Sequence, residues 1–204
     1  MQPTETTVSR SGHTIAYRDS DGTGSVVAHP VPVIMVHGMG GDNRTWDRFA
    51  RAVTAQGRRV LAVDLRGHGR SARAESYLFG EFGDDILGLC EDLGFDSVDL
   101  VGHSLGGHAV SLVAQQRPAL VRRLVLEEAP LPLRPGDPVP NFGGRLPSPV
   151  ELWHAATRVD PVLLESAVDA IGDCEVVSFA CGHSIHRDRY RDFESAVLPF
   201  LMAP

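Results

Sequence analysis

Around residue 104 the chain reads Val101-Gly102-His103-Ser104-Leu105-Gly106-Gly107, a Gly-x-Ser-x-Gly pattern set between two segments of opposite character. Upstream, Val98-Asp99-Leu100-Val101 is a short apolar run of strand type. Downstream, Gly106 to Ala114 is a small-residue run suited to a helix packed tightly on a sheet. A chain passing from strand to helix in so few residues must turn sharply. The serine at that turn is forced into a strained conformation with its hydroxyl exposed. Gly102 and Gly106 are small because strand and helix come close there. Ser104 is therefore a candidate nucleophile, and the turn demands a sheet to sit on.

The flanking sequence supplies one. Residues 6–20 read as a β-hairpin turning at Ser11-Gly12, and Asp21 to Ser25 as a loop. Val31 to Val36 is nearly all apolar, as a strand covered on both faces should be. It runs into His37-Gly38-Met39-Gly40-Gly41. Trp46 to Gln56 has helical character and ends at Gly57. Val60-Leu61-Ala62-Val63 is the next buried strand, leading into Asp64 to Ser71. A helix from about Leu78 to Leu93 is closed by Gly94, and Leu124-Val125-Leu126 follows the serine helix as a further strand. Strands alternating with helices at this spacing predict βαβ units and a mostly parallel central sheet flanked by helices.

Length and composition narrow the class. At 204 residues the chain suits a single domain with a real core. A net charge of −7, with acids and bases interspersed, argues against nucleic acid or an anionic membrane as partner. No apolar run approaches the ~20 residues of a membrane span. The first residues have neither a basic start nor an apolar stretch, so no signal peptide is read and a cytoplasmic location is expected. Cys90, Cys174 and Cys181 form no metal-ligand spacing and are expected to be buried free thiols. The loop at His37 to Gly41 lacks the spacing and lysine of a phosphate-binding P-loop, and Gly67 to Ser71 is no dinucleotide fingerprint.

Four motifs in this order resemble the α/β-hydrolase family: His37-Gly38-Met39-Gly40, Asp64 to Ser71, Gly102 to Gly107, and Gly182-His183-Ser184-Ile185-His186. The resemblance covers about residues 8–128 and 174–202. It implies a cofactor-free hydrolase acting on a small-molecule ester, thioester or amide, with no metal. A serine hydroxyl needs a base, and His183, between the strand expected at Glu175–Phe179 and a C-terminal helix, stands where the family carries it. His186 is the rival, in a place where a surface or structural histidine is usual. His37 and His103 are expected to shape loops by hydrogen bonding, beside Gly38 at the pocket. His68 and His108 read as structural. The backbone N–H groups of Met39 and Leu105 are the expected oxyanion donors.

The acid has two candidates. In most relatives an aspartate follows a strand between the lid and the histidine. Here Ser148-Pro149-Val150-Glu151 reads as a helix start, as does Asp160-Pro161, so the strand before the last one is expected to be missing. In some members the acid instead ends the preceding strand, the place Glu128 occupies. Glu128 and Asp160 both stand as candidates. Residues 130–149 hold seven of the 14 prolines, which predicts an extended crossing rather than a helical bundle. The resemblance implies a lid at this point, so the segment at about 129–160 is expected to be a small Pro-rich one, with Phe142 and Trp153 as expected pocket walls. Two alternatives stay open: perhydrolysis or acyl transfer by the same triad, and a degenerate member that only binds.

Overall fold

The computed structural model describes residues 4–10, 13–21, 29–129 and 174–204. Among the described residues, six strands form one sheet: β1 (Thr4–Arg10), β2 (His13–Asp19), β3 (His29–Val36), β4 (Arg58–Val63), β5 (Val98–His103) and β6 (Val121–Glu127). Their spatial order is β1-β2-β4-β3-β5-β6. The hairpin of β1 and β2 is antiparallel and joins β4 antiparallel, while β4, β3, β5 and β6 run parallel. The mostly parallel sheet expected from the alternation is therefore the one found.

Two layers of helix cover it, and the strands alternate between them as a two-residue period requires. Ile34, Val36, Leu61, Val63, Val98 and Leu100 face α2 (Phe79–Asp92) and α3 (Leu105–Gln116), packing with Phe82, Ile86, Leu89, Ala109 and Val113. Val33, Met35, Val60 and Val101 face the other way. They pack with Trp46, Phe49 and Val53 around α1 (Asp47–Ala55), and with Ile185, Tyr190, Phe193 and Leu201 from α4 (Ile185–Asp188) and α5 (Tyr190–Met202). The strand residues Val33 to Val36 are fully buried, which is why that run carries no polar residue.

The helix stops follow the sequence. Gly57 and Gly94 adopt φ of 76° and 66°, the left-handed region that glycine enters without cost. The last turn of α5 is tied to the sheet by charge. Asp99, fully buried in β5, accepts from Arg58 at 2.6 Å and from Arg122 at 2.9 and 2.6 Å. The same guanidinium groups donate to the carbonyls of Leu201 and Ala203.

Two expectations are corrected. Glu175 to Phe179 is not a strand; it runs as irregular chain, with Val176 and Val177 about half exposed at 51% and 44%. Its β-branched residues have the propensity, but no described strand stands between it and β6 to offer a ladder. Among the cysteines only Cys90 is buried, its thiol pushed up to about 12 by burial, while Cys174 and Cys181 are exposed. The Ser11-Gly12 turn, the lid, and the helix starts at Ser148 and Asp160 lie outside the described residues.

Candidate active site

The parallel strands all deliver their C-terminal ends to one place. β3 runs into His37, β4 into Asp64, β5 into Ser104 and β6 into Glu128, at the crevice where open α/β sheets carry their sites. The turn at Ser104 is built by close approach. A Cβ on Gly102 would lie 2.6 Å from the Gly106 carbonyl, and one on Gly106 would lie 2.4 Å from the carbonyls of Val36 and His37. Only glycine lets β5 pass into α3 at this distance. Ser104 itself sits at φ 53°, ψ −117°, a non-glycine residue in the positive-φ region, held by its N–H donating to the Glu127 carbonyl at 2.8 Å.

Its hydroxyl meets an imidazole. Ser104 Oγ and His183 Nε2 are 2.9 Å apart. On the far side of that ring, Glu128 Oε2 lies 3.7 Å from Nδ1. That is a charge contact, too long for a hydrogen bond. Glu128 is also at positive φ, 50°, so the two non-glycine residues strained in this way among the described residues are Ser104 and Glu128. Strain of this kind persists where surrounding structure over-determines it. The expected exposure of the serine is corrected: Ser104 is fully buried. His183 covers Oγ, and a Cβ on Gly38 would sit 3.1 Å from Ser104 Cβ, so the His37–Gly41 loop presses on it as well.

That loop is shaped by His37. The Leu65 N–H donates to its Nε2 at 3.1 Å, which leaves the proton on Nδ1 to donate to the Gly38 carbonyl at 2.7 Å. Burial lowers this imidazole to about 4. Gly41 N–H closes a turn onto the Gly38 carbonyl, and Gly40 takes φ 73°. Met39 is the second residue of this turn, so its N–H is not the turn's donor; its side chain is exposed. Leu105 opens α3, and a first helical N–H has no acceptor within its own helix. His103 donates from Nε2 to the His183 carbonyl at 2.7 Å, and burial holds it below the usual histidine range. Asp64 accepts from Asn43 N–H at 2.6 Å and Arg70 N–H at 2.9 Å, fixing the loop beside the site, with its carboxyl pushed up by burial.

His37 makes stability depend on pH. A base whose folded pKa is about 4 against 6.5 unfolded is protonated first in the unfolded chain. Its contribution is present above pH 6.5 and is lost as pH falls toward 4, amounting to about 3 kcal/mol in full. Thermal unfolding should show wild type losing stability relative to His37→Gln between pH 7 and pH 4.5. Parallel pH curves for the two proteins would contradict this.

His186, expected to be a surface or structural histidine, is the structural kind: it is buried, with its Nδ1 donating to both Glu127 oxygens at 2.8 and 2.7 Å and its ring stacked on Trp46 at 4.2 Å. Its partner Glu127 is 2% exposed. The missed signal was the pairing of two adjacent glutamates with two histidines three residues apart. Asp160, Phe142 and Trp153 lie outside the described residues. Among the described residues, no group of three or more His, Cys, Asp or Glu side chains is arranged to hold a metal ion, and no helix is long and apolar enough to cross a membrane.

This geometry can be set beside known proteins. The chain is 35% identical over 130 residues to the sn-1-specific diacylglycerol lipase ABHD11 of Mus musculus, an alignment covering 63% of the chain and 41% of that protein. It is 43% identical over 97 residues to the dihydrolipoyllysine-residue acetyltransferase component of an acetoin cleaving system from Pseudomonas putida, covering 47% of the chain and 26% of the relative. Among solved structures, a thioesterase domain from the curacin biosynthetic pathway superposes with a TM-score of 0.58 at 33% identity, covering 66% of this chain and 47% of that one. The chain thus spans less than half the length of each of these relatives. The profile described as alpha/beta hydrolase fold matches residues 31–160. The chain belongs to the alpha/beta hydrolase fold family.

Proposed function

We propose that the chain is a serine-dependent hydrolase of small carboxylic esters or thioesters that works through an acyl-enzyme, as one domain with residues 129–160 as a reduced lid. The observation that carries this reading is the strained Ser104 with His183 Nε2 at 2.9 Å. In the first step Ser104 Oγ attacks the carbonyl carbon while its proton passes to His183 Nε2. The carbonyl oxygen takes up the charge, and the N–H groups of Met39 and Leu105 stabilise it. Glu128 faces Nδ1 and favours the imidazolium; contacts of this kind are often long before substrate binds. Collapse breaks the bond to the alcohol or thiol, which leaves with the proton from Nε2. Water then gives its proton to Nε2, attacks the acyl-enzyme, and frees the acid and Ser104. These steps use no cofactor. The lipase and thioesterase named among the relatives support the ester and thioester classes.

Acyl transfer is the second reading, favoured by the acetyltransferase component among the relatives. It uses the same acyl-enzyme with an alcohol, thiol or peroxide in place of water. Product analysis with an added alcohol separates the two: free acid alone supports hydrolysis, and a new ester supports transfer.

The acid is tested by comparing Glu128→Gln with Asp160→Asn on a p-nitrophenyl ester. Glu128→Gln is expected to lower kcat on the order of 10²- to 10⁴-fold, as loss of a base-orienting carboxylate does, with Asp160→Asn near wild type. A slow Asp160→Asn beside a fast Glu128→Gln would assign the role to Asp160.

A further inference from the structure

Behind the Ser104–His183 pair lies a second carboxylate–histidine pair, buried and better made than the first. Glu127 ends β6, one residue before Glu128. Its carboxylate accepts from the His186 backbone N–H at 2.9 Å and from His186 Nδ1 at 2.8 and 2.7 Å. Thr45 Oγ1 lies 3.1 Å from Nε2, and the ring stacks on Trp46 with planes 25° apart. His186 is 4% exposed and Glu127 2%. A carboxylate taken this far out of water must be fully hydrogen-bonded, and here one residue supplies both a backbone and a ring donor.

What this pair joins gives it a role. The Glu127 carbonyl accepts the Ser104 N–H at 2.8 Å, while its carboxylate grips His186. One residue therefore holds the serine turn through its backbone and the histidine loop through its side chain. His186 sits in the first turn of α4, which is closed onto Ser184 by the N–H groups of Arg187 and Asp188 donating to the Ser184 carbonyl. Fixing His186 therefore fixes His183, three residues earlier, with His103 bonded to the His183 carbonyl as a second strut.

We propose that Glu127 and His186 are positioning residues, a buried pin that sets the distance between Ser104 Oγ and His183 Nε2. They touch neither substrate nor the reacting atoms. Glu127 is not a reserve for Glu128, since both its oxygens are occupied by His186. Residues 174–182, just before His183, run as irregular and mostly exposed chain, and the pin holds the histidine from behind. A misplacement near 1 Å in such a pair costs about a hundredfold in rate.

This inference rests on the function proposed above, so its test carries an arm that needs no activity. Glu127→Gln and His186→Gln are compared with wild type, with Asp99→Asn as a variant that weakens the fold away from the site. With a p-nitrophenyl ester and active-site titration, kcat per titrated site should fall on the order of ten- to a hundredfold in both pin variants, with KM unchanged. The double variant should be no slower than either single one, because the pair acts as a unit. Asp99→Asn should lower Tm while keeping kcat per titrated site. In parallel, hydrogen exchange read by mass spectrometry should lose protection over residues 182–188 and at the Ser104 turn in the pin variants alone. Wild-type kcat per site in Glu127→Gln would overturn the proposal. If wild type neither turns over nor labels, the proposed function has failed, and the exchange arm decides alone: unchanged protection of 182–188 overturns the pin, and selective loss supports it.

Discussion

Ser104→Ala is expected to lower kcat for a p-nitrophenyl ester on the order of 10⁶-fold, the scale seen when an activated serine nucleophile is replaced. The hydroxyl is the atom that would form the acyl bond, and no neighbour can take its place. Met39 and Leu105 N–H groups would remain, so a residual rate above water is expected from binding and oxyanion stabilisation. Alanine keeps the φ of 53° without new clashes, so Tm should stay near wild type. The measurement is therefore paired: turnover and thermal unfolding on the same preparation. Turnover surviving at more than about a hundredth of wild type would remove Ser104 from the chemistry.

Asp99→Ala is expected to have the largest effect on stability. Asp99 is fully buried and neutralises Arg58, itself 1% exposed, together with the partly buried Arg122. Removing one partner of a buried ion pair strands the other charge and costs about 3–5 kcal/mol. For a chain of this size that lowers Tm by roughly 6–20 °C. The loss extends beyond the pair, because the same guanidinium groups hold the carbonyls of Leu201 and Ala203 at the end of α5. α5 contributes Phe193 and Leu201 to the core on that face of the sheet. A calorimetric Tm within a degree or two of wild type would mean that Arg58 finds another partner and that the network is not cooperative.

Much of this was legible in the sequence because local rules and global fold agree there. The apolar run at Val33 to Val36 needs two covered faces, and the sheet supplies them. Gly102 and Gly106 are dictated by backbone contacts of 2.4 to 2.6 Å that no other residue allows. His37 was read as a loop-shaping histidine from its motif, and its two ring bonds do that. The illegible parts depend on partners distant in sequence. Nothing local says which of Glu127 and Glu128 faces inward, since β6 is half-buried along most of its length rather than cleanly alternating. Nothing local decides whether His186 is a surface or a structural histidine, because its carboxylate partner is 59 residues away. Glu175 to Phe179 carries strand propensity, but a strand exists only where a ladder receives it.

Activation of Ser104 by His183 is tested by covalent labelling with a fluorophosphonate, read by intact mass. One adduct per chain is expected on wild type, mapped to Ser104 by peptide mass, with none on Ser104→Ala and much slower labelling of His183→Ala. A folded wild-type protein that takes up no label, or a label found on another residue, would contradict it.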